Sequence, residues 1–410
     1  MAVKSGYKQT EVGIVPEEWE VKPLQEVGKF AKGKGLLKED IKTSGRIPAI
    51  PYTALYTDFS ELLNYDHIKW FVDEETQTYI ANEPCVLIAS SSNMAANTGK
   101  ATALTRTTRV AIGREVIVFK TASDCSYISF LLSTSKYRQK TLSLARGTTI
   151  KHLYPATFHD YKIAHPSITE QRAIAKALSD VDALLGALER IIAKKRDLKQ
   201  ASMQQLLTGQ TRLPGFSGEW EETTLGAIVE CIIGLTYHPD NVVEHGLLVL
   251  RSSNVQGGRL AYENNVYVDI DVNERLITRL GDILICVRNG SRTLIGKSAL
   301  IDECAAGTTF GAFMTVYRTA HWRFISHAFQ SESIQRQIRD NIGATINQIT
   351  NKDMKALRLK LPSSCEQTAI ATVLSDMDAE LTALEQRLTK TRTLKQGMMQ
   401  ELLTGRTRLL

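Results

Sequence analysis

Nothing in this 410-residue sequence approaches the roughly 18 consecutive apolar residues that a membrane-spanning helix needs. Its opening stretch, MAVKSGYKQTEVG, lacks the apolar segment of a secretory leader. Cysteine is sparse. The six (Cys85, Cys125, Cys231, Cys286, Cys304, Cys365) form no CxxC pair and no Cys/His cluster at zinc spacing, so they are expected to be buried thiols in a reducing compartment. A cytoplasmic chain with no membrane contact and no metal is the expectation. Catalytic signatures are missing as well. The eight histidines make no HExxH or triad-like grouping. Between Gly290 and Gly296 lie five residues where a phosphate-binding loop needs four, and the matching TGKA of residues 98–101 lacks the hydroxyl. Glu39-Asp40-Ile41-Lys42 holds an acid-x-Lys element, but no preceding strand and upstream aspartate supply a second metal carboxylate. No Asn-Pro-Pro-Tyr or Asp-Pro-Pro-Tyr exists to hold a flipped base, and no glycine-rich cofactor loop opens a βαβ unit. A protein that is not an enzyme by itself is expected. The net charge of +6 lies in the first half, a surplus too mild to name a partner.

What is present is a duplication. Residues 170–213 (EQRAIAKALSDVDALL…) lie over residues 366–409 (EQTAIATVLSDMDAEL…) at a constant offset of 196, with 28 of 44 positions identical. The offset extends upstream to pair Gly147, Thr149 and Ile150 with Gly343, Thr345 and Ile346. It then drifts, so that Gly99-Lys100 faces Gly296-Lys297 and Trp19 faces Trp220. Each copy opens with a diverged part whose short runs, such as Val116 to Phe119 and Asp282 to Val287, read as strands. Helical stretches from Tyr127 to Leu142 and from His321 to Arg339 come late in each. Each copy closes with apolar residues stepping four and three: Ile174, Leu178, Val181, Leu185, Leu188 and Ile192 in the first, Ile370, Leu374, Met377, Leu381, Leu384 and Leu388 in the second. Ser167 or Thr169 and Ser363 or Ser364 are the N-cap candidates, and Gly209 and Gly405 are the stops.

The expected architecture is α+β: two mixed α/β domains separated by two long helices that form an antiparallel coiled coil, a pseudo-twofold tandem repeat. Its segments are 1–165, 166–213, 214–361 and 362–410. A helix over 170–207 would be roughly 57 Å long, and two heads on such rods suit two DNA half-sites about 34 Å apart. Because the heads diverged and the helices did not, the half-sites should differ while the spacer stays constant. A non-catalytic coiled-coil scaffold that binds only protein, and a self-contained methyltransferase or nuclease, are the alternatives.

The segment P-x-x-x-EQ-x-A-I-A-x-x-L-S-D-x-D, closing a domain that ends in G-x-T-I, occurs twice, over Gly147 to Asp182 and Gly343 to Asp378. It resembles the specificity subunits of type I restriction-modification enzymes. The openings GIVPEEWEVKPL and LPGFSGEWEETTL, and the segment VRNGSRTLIGKSALI, are similar to that family's domain starts and mid-domain segment. The first domain departs from the pattern, carrying IASSSNMAANTGKATAL there. The resemblance implies two target-recognition domains, each reading one half of an interrupted double-stranded DNA site, and helices that set the spacer and dock two methyltransferase subunits. Two restriction (translocase/nuclease) subunits would complete the complex. S-adenosylmethionine, ATP and Mg2+ would sit on those partners and no cofactor on this chain.

Reading bases directly takes side chains with paired donors and acceptors, Arg or Lys for guanine and Asn or Gln for adenine. The candidates in the second domain are Arg251, Asn254, Arg288, Asn289, Arg292, Asn347 and Gln348; in the first, Ser92, Asn93, Asn97, Lys100, Arg146, Lys151 and His152. Lys29, Lys32, Lys34, Lys38, Lys194, Lys195, Arg196 and Lys199 are candidate phosphate contacts. The leucine pairs Leu206-Leu207 and Leu402-Leu403 are read as a mixture of domain packing and partner docking.

Overall fold

The computed structural model describes residues 5–73, 78–107, 109–343 and 347–409; Thr345 and Ile346 of the second G-x-T-I turn lie outside the described residues. It resolves two compact units, Met1–Glu189 with Gln386–Leu410, and Arg190–Glu385. The boundary therefore cuts each long helix, giving every unit one diverged domain, half of one helix and the opposite half of the other.

Within the first unit an antiparallel sheet runs in the order Ala101–Leu104, Cys85–Ala89, Val116–Thr121, Gly28–Lys32. The run CVLIA is buried at every position, as a strand covered on both faces must be. A second sheet orders Trp70–Val72, Ile47–Ile50, Val110–Ile112 and Tyr79–Ala81, with 47–50 and 110–112 parallel. The second unit repeats the plan: Glu230–Ile233, Met314–Arg318, Ile283–Cys286 and Ser298–Leu300 make its antiparallel sheet, and Leu247–Leu250 runs parallel to Thr309–Phe310 in the other. A ribbon of an early strand against the last closes each domain, Glu20–Pro23 on Lys162–His165 and Glu221–Thr224 on Arg358–Leu361.

The late helical stretches are each broken in two, as Cys125–Ser133 and Ser135–Leu144, and as Trp322–Gln330 and Glu332–Asn341. The breaks fall at Thr134 and Ser331, whose backbones are extended and whose hydroxyls donate back to the carbonyls of Leu131 and Ala328. Periodicity alone does not reveal this, because the apolar face carries on through the break.

The long helices are Ile168–Leu206 and Ser364–Leu402, 39 residues each. Ser167 and Ser363 are the caps, their hydroxyls accepting from the amides of Glu170 and Glu366. Past the ends, Gly209 and Gly405 take φ of 72° and 70°, the left-handed conformation that stops a helix at lowest cost in glycine. Pairing is antiparallel inside each unit. In the first, Asp182 bonds Lys395 and Glu189 bonds Arg392; in the second, Lys195 bonds Glu380 and Lys199 bonds Asp378. The heptad stripe divides its labour in a way the spacing did not show. Ile174 and Leu178 enter the core of the first domain, and Ile370 and Leu374 that of the second, so the opening turns serve domain packing. Leu188, Ile192 and Leu381 are buried, while Val181, Leu185, Met377, Leu384 and Leu388 are half-buried. Leu402 and Leu403 likewise join the first domain's core and Leu206 the second's, which withdraws them from partner docking. Cys304 and Cys365 are exposed, contrary to the expectation of burial for every thiol; the other four are buried. No helix among the described residues is long and apolar enough to cross a membrane.

Candidate nucleic-acid interface

In the second unit the strand Ile283–Cys286 leads into a loop on which several candidates meet. The amides of Val287 and Arg288 donate to the carbonyl of Phe313, at 3.0 and 3.2 Å, and Ile349 donates to Val287 at 2.9 Å. Arg288 thereby bridges Gln348. The Asn289 amide donates to the Asn347 carbonyl, Asn347 Nδ2 to the Gly290 carbonyl at 2.8 Å, and Asn289 Nδ2 to Ser252 Oγ at 2.9 Å. Arg288, Asn289, Asn347, Gln348 and the loop after Arg251 so form one patch. The exposed Arg288 guanidinium lies 4.9 Å from the centre of the Phe313 ring, which is itself 55% exposed. A cation resting on an aromatic face is held in one orientation while its outer N–H groups stay available.

Two candidates are spent on the fold or turned aside. Asn254 is fully buried, its Oδ1 accepting from the Arg251 amide and its Nδ2 donating to Ala261 and Asn265, so nothing is left for a base. Arg251 is half-buried, donates to the Asn264 carbonyl, and keeps its Nε without a partner. Arg292 is exposed and reaches the Arg339 carbonyl at the end of the helix Glu332–Asn341.

In the first unit Ser91–Ser92 pairs with Lys151–His152, and Arg146 bridges His152, so two of the predicted clusters are neighbours. Asn93 and Arg146 are exposed; Asn97, Lys151 and His152 are half-buried. Ser92 is 3% exposed and its hydroxyl accepts from the Met94 amide, which makes it a loop anchor. Lys100 turns inward and donates to the Phe59 carbonyl at 2.7 Å; burial pushes its ammonium pKa down, as removal from water must for a cation. Neither Ser92 nor Lys100 faces outward as its place in a polar loop suggested.

Three of the four phosphate candidates on the helices are also engaged. Lys195, Arg196 and Lys199 bond Glu380, Glu385 and Asp378, which assigns them to pairing between the long helices. Lys29, Lys34, Lys38 and Lys194 are exposed.

Sequence reasoning missed Phe313 and Glu115, which the fold makes counterparts. Gly33 donates to Val116 as Gly234 does to Met314, and Gly113 donates to Ile50 as Gly311 does to Leu250. In both copies a Cβ on the first of these glycines would come within about 2 Å of the carbonyl oxygen of the second, so the crossing admits no side chain. Counting on from that crossing sets Glu115 where Phe313 stands. Glu115 has φ of 62° and presents its carboxylate beside Ser90 Oγ at 3.4 Å, Lys32 Nζ at 3.6 Å and His152 Nδ1 at 3.8 Å. Burial alone would raise its pKa, but the hydroxyl of Ser91 and the ammonium of Lys32 outweigh that and hold it below the ordinary value. Tyr52, 36% exposed, stands with its ring centre 6.1 Å from that of Tyr56. Among the described residues no group of His, Cys, Asp and Glu is arranged to hold a metal ion.

Comparison with known proteins agrees along the whole chain. A family model described as the type I restriction modification DNA specificity domain matches residues 16–196 and again 218–393. The MjaVIII specificity subunit of Methanocaldococcus jannaschii is 25% identical over 420 residues, covering 96% of this chain and 94% of that protein. The EcoKI specificity subunit of Escherichia coli is 28% identical over 183 residues, 41% of this chain and 39% of that one. Among solved structures, the S subunit of a type I restriction-modification system from M. genitalium superposes with a TM-score of 0.60 at 14% identity, covering 98% of both chains.

Proposed function

The chain belongs to the type I restriction-modification DNA specificity family, and from that premise we propose that each of its domains reads one half of an asymmetric, interrupted DNA target, leaving the chemistry to partners. The observation that carries this is the patch built twice at the same crossing of the fold: a guanidinium on a ring in one copy, and polar and charged loop residues in the other. Such groups, set at strand ends, are what base edges in a major groove require. A scaffold that binds only protein would have no use for a duplicated polar patch and does not fit the family.

The partners we infer are two methyltransferase subunits, which would carry S-adenosylmethionine, and two restriction subunits, which would carry ATP and Mg2+, all in the cytoplasm with the host DNA. The exposed Ile191 and Leu198, one heptad apart, are an apolar surface that such docking would cover.

The direct test is to co-express the chain with the methyltransferase of its own system and map methylated adenines across the host genome. One bipartite motif is expected; the lack of any would overturn the proposal. Replacing Arg288 with Ala should relax a guanine in the second domain's half-site by about 1–3 kcal/mol and leave the other half unchanged, as binding to duplexes altered one position at a time will report. Equal weakening at every position would reduce Arg288 to a phosphate contact. Deleting seven residues from each long helix should shorten the spacer and spare both half-sites; altered half-sites would rule out the helices as its measure.

A further inference from the structure

We infer that Glu115 is the specificity-determining residue of the first domain, accepting a hydrogen bond from an exocyclic amino group of cytosine or adenine in the major groove. The inference rests on the proposed reading of DNA by these patches and deepens it. Two positions of the fold exchange chemistry between the copies. Ala89 donates to the Lys100 carbonyl as Cys286 does to that of Lys297, and Leu153 donates to Ser90 as Ile349 does to Val287. Those matched bonds make Ser91 the counterpart of Arg288, just as Glu115 is the counterpart of Phe313. The second domain therefore presents a five-donor guanidinium propped on a ring, while the first presents a half-buried, acceptor-only carboxylate backed by the buried hydroxyl of Ser91.

A carboxylate on a surface that meets phosphates repels its ligand, and the Lys32 ammonium offsets that repulsion only in part, with the His152 ring on its other side. Both are held near it, yet neither closes to hydrogen-bond distance, at 3.6 and 3.8 Å. What an ionised acceptor gains from duplex DNA is an amino donor, and the major groove offers two, cytosine N4 and adenine N6. Guanine, with N7 and O6, presents only acceptors there and is rejected by like polarity. At matching places the two half-sites thus carry opposite patterns, an amino donor under Glu115 and purine acceptors under Arg288.

The test uses the chain in complex with its methyltransferase subunit. The wild-type motif is mapped first; if no bipartite motif appears, the proposed function fails and the inference goes with it. Given a motif, Glu115→Ala should lower discrimination at a single position of one half-site by about tenfold or more, with the other half unchanged. Glu115→Gln separates the two bases: the amide pairs adenine bidentately and keeps it, whereas cytosine is left with one neutral acceptor and is held more weakly. For Glu115→Ala, an unaltered motif, or methylation that falls evenly with the motif intact, overturns the inference while leaving the proposed function standing. Should both variants fail to fold, the wild-type complex still decides. Of duplexes lacking one amino group at a time, with 2-pyrimidinone for cytosine or purine for adenine, one in that half-site must bind about tenfold weaker, and the lack of any such duplex overturns the inference.

Discussion

Glu170→Ala is expected to cost the first unit roughly 2–3 kcal/mol, the upper part of the range for leaving a buried donor unpaired. The Glu170 carboxylate is 1% exposed and takes three bonds, from Arg408 Nε, from Arg408 Nη2 at 3.0 Å and from Trp19 Nε1 at 2.9 Å. Its loss leaves a buried indole N–H without a partner and takes two bonds from Arg408, whose Nη2 keeps Glu18 at 2.9 Å. Those three residues tie the start of the domain, the first turn of one long helix and the tail beyond the other, so the damage should fall on the whole unit. Hydrogen exchange reads it locally: amides of the ribbon Glu20–Pro23 and Lys162–His165 should exchange faster, while those of the second unit hold. Glu170→Gln, which keeps the shape, should lose less; a Glu170→Ala loss below about 1 kcal/mol would show that the clamp matters little to stability. The second unit repeats the arrangement with Arg212 on Glu366, through two bonds of 2.6 Å, but Trp220 Nε1 finds no partner there. Glu366→Ala should therefore cost somewhat less than Glu170→Ala.

Acid should loosen the second unit through His327. This histidine is 5% exposed on the helix Trp322–Gln330, with Nε2 3.2 Å from Ser375 Oγ and Nδ1 unbonded, 3.9 Å from the Asp378 carboxylate. Burial drives its pKa down to about 4; Asp378 opposes the shift and Lys199 adds to it. An unfolded histidine titrates near 6.5, so between about pH 6.5 and 4 the unfolded chain holds a proton that the folded one refuses. Stability is thus intact above about 6.5 and lost as pH falls, by roughly 3 kcal/mol in all. In the first unit Phe130 holds the equivalent place, with Lys395 Nζ 5.4 Å from its ring centre. His327→Phe copies that solution, and its stability should be the flatter of the two between pH 6.5 and 5 in denaturant titrations. Parallel curves for variant and wild type would refute the assignment.

The long helices were legible because their information is local. A cap, a 4,3 stripe and a stop glycine follow one another along the chain, and a second copy at one offset repeats every signal. The antiparallel pairing was expected from a pseudo-twofold axis lying across the rods, and it is found inside each unit. The site was legible only as far as its loops. Arg288, Asn289, Asn347 and Gln348 were named from residue type and do meet, because the G-x-T-I turn and the mid-domain loop each carry several polar groups.

The amino-acid order by itself determined the duplication, the rods and the division between diverged heads and repeated helices, since periodicity and identity survive without any tertiary contact. Which polar side chains face outward was decided by tertiary structure alone. Asn254, Ser92 and Lys100 look like their exposed neighbours along the chain, and only the packing of loop on sheet takes their polar atoms for the backbone. Glu115 and Phe313 became counterparts in the same way, through strands that meet some 60 residues apart in sequence, where a glycine must pass beneath a carbonyl and the next turn points a side chain out.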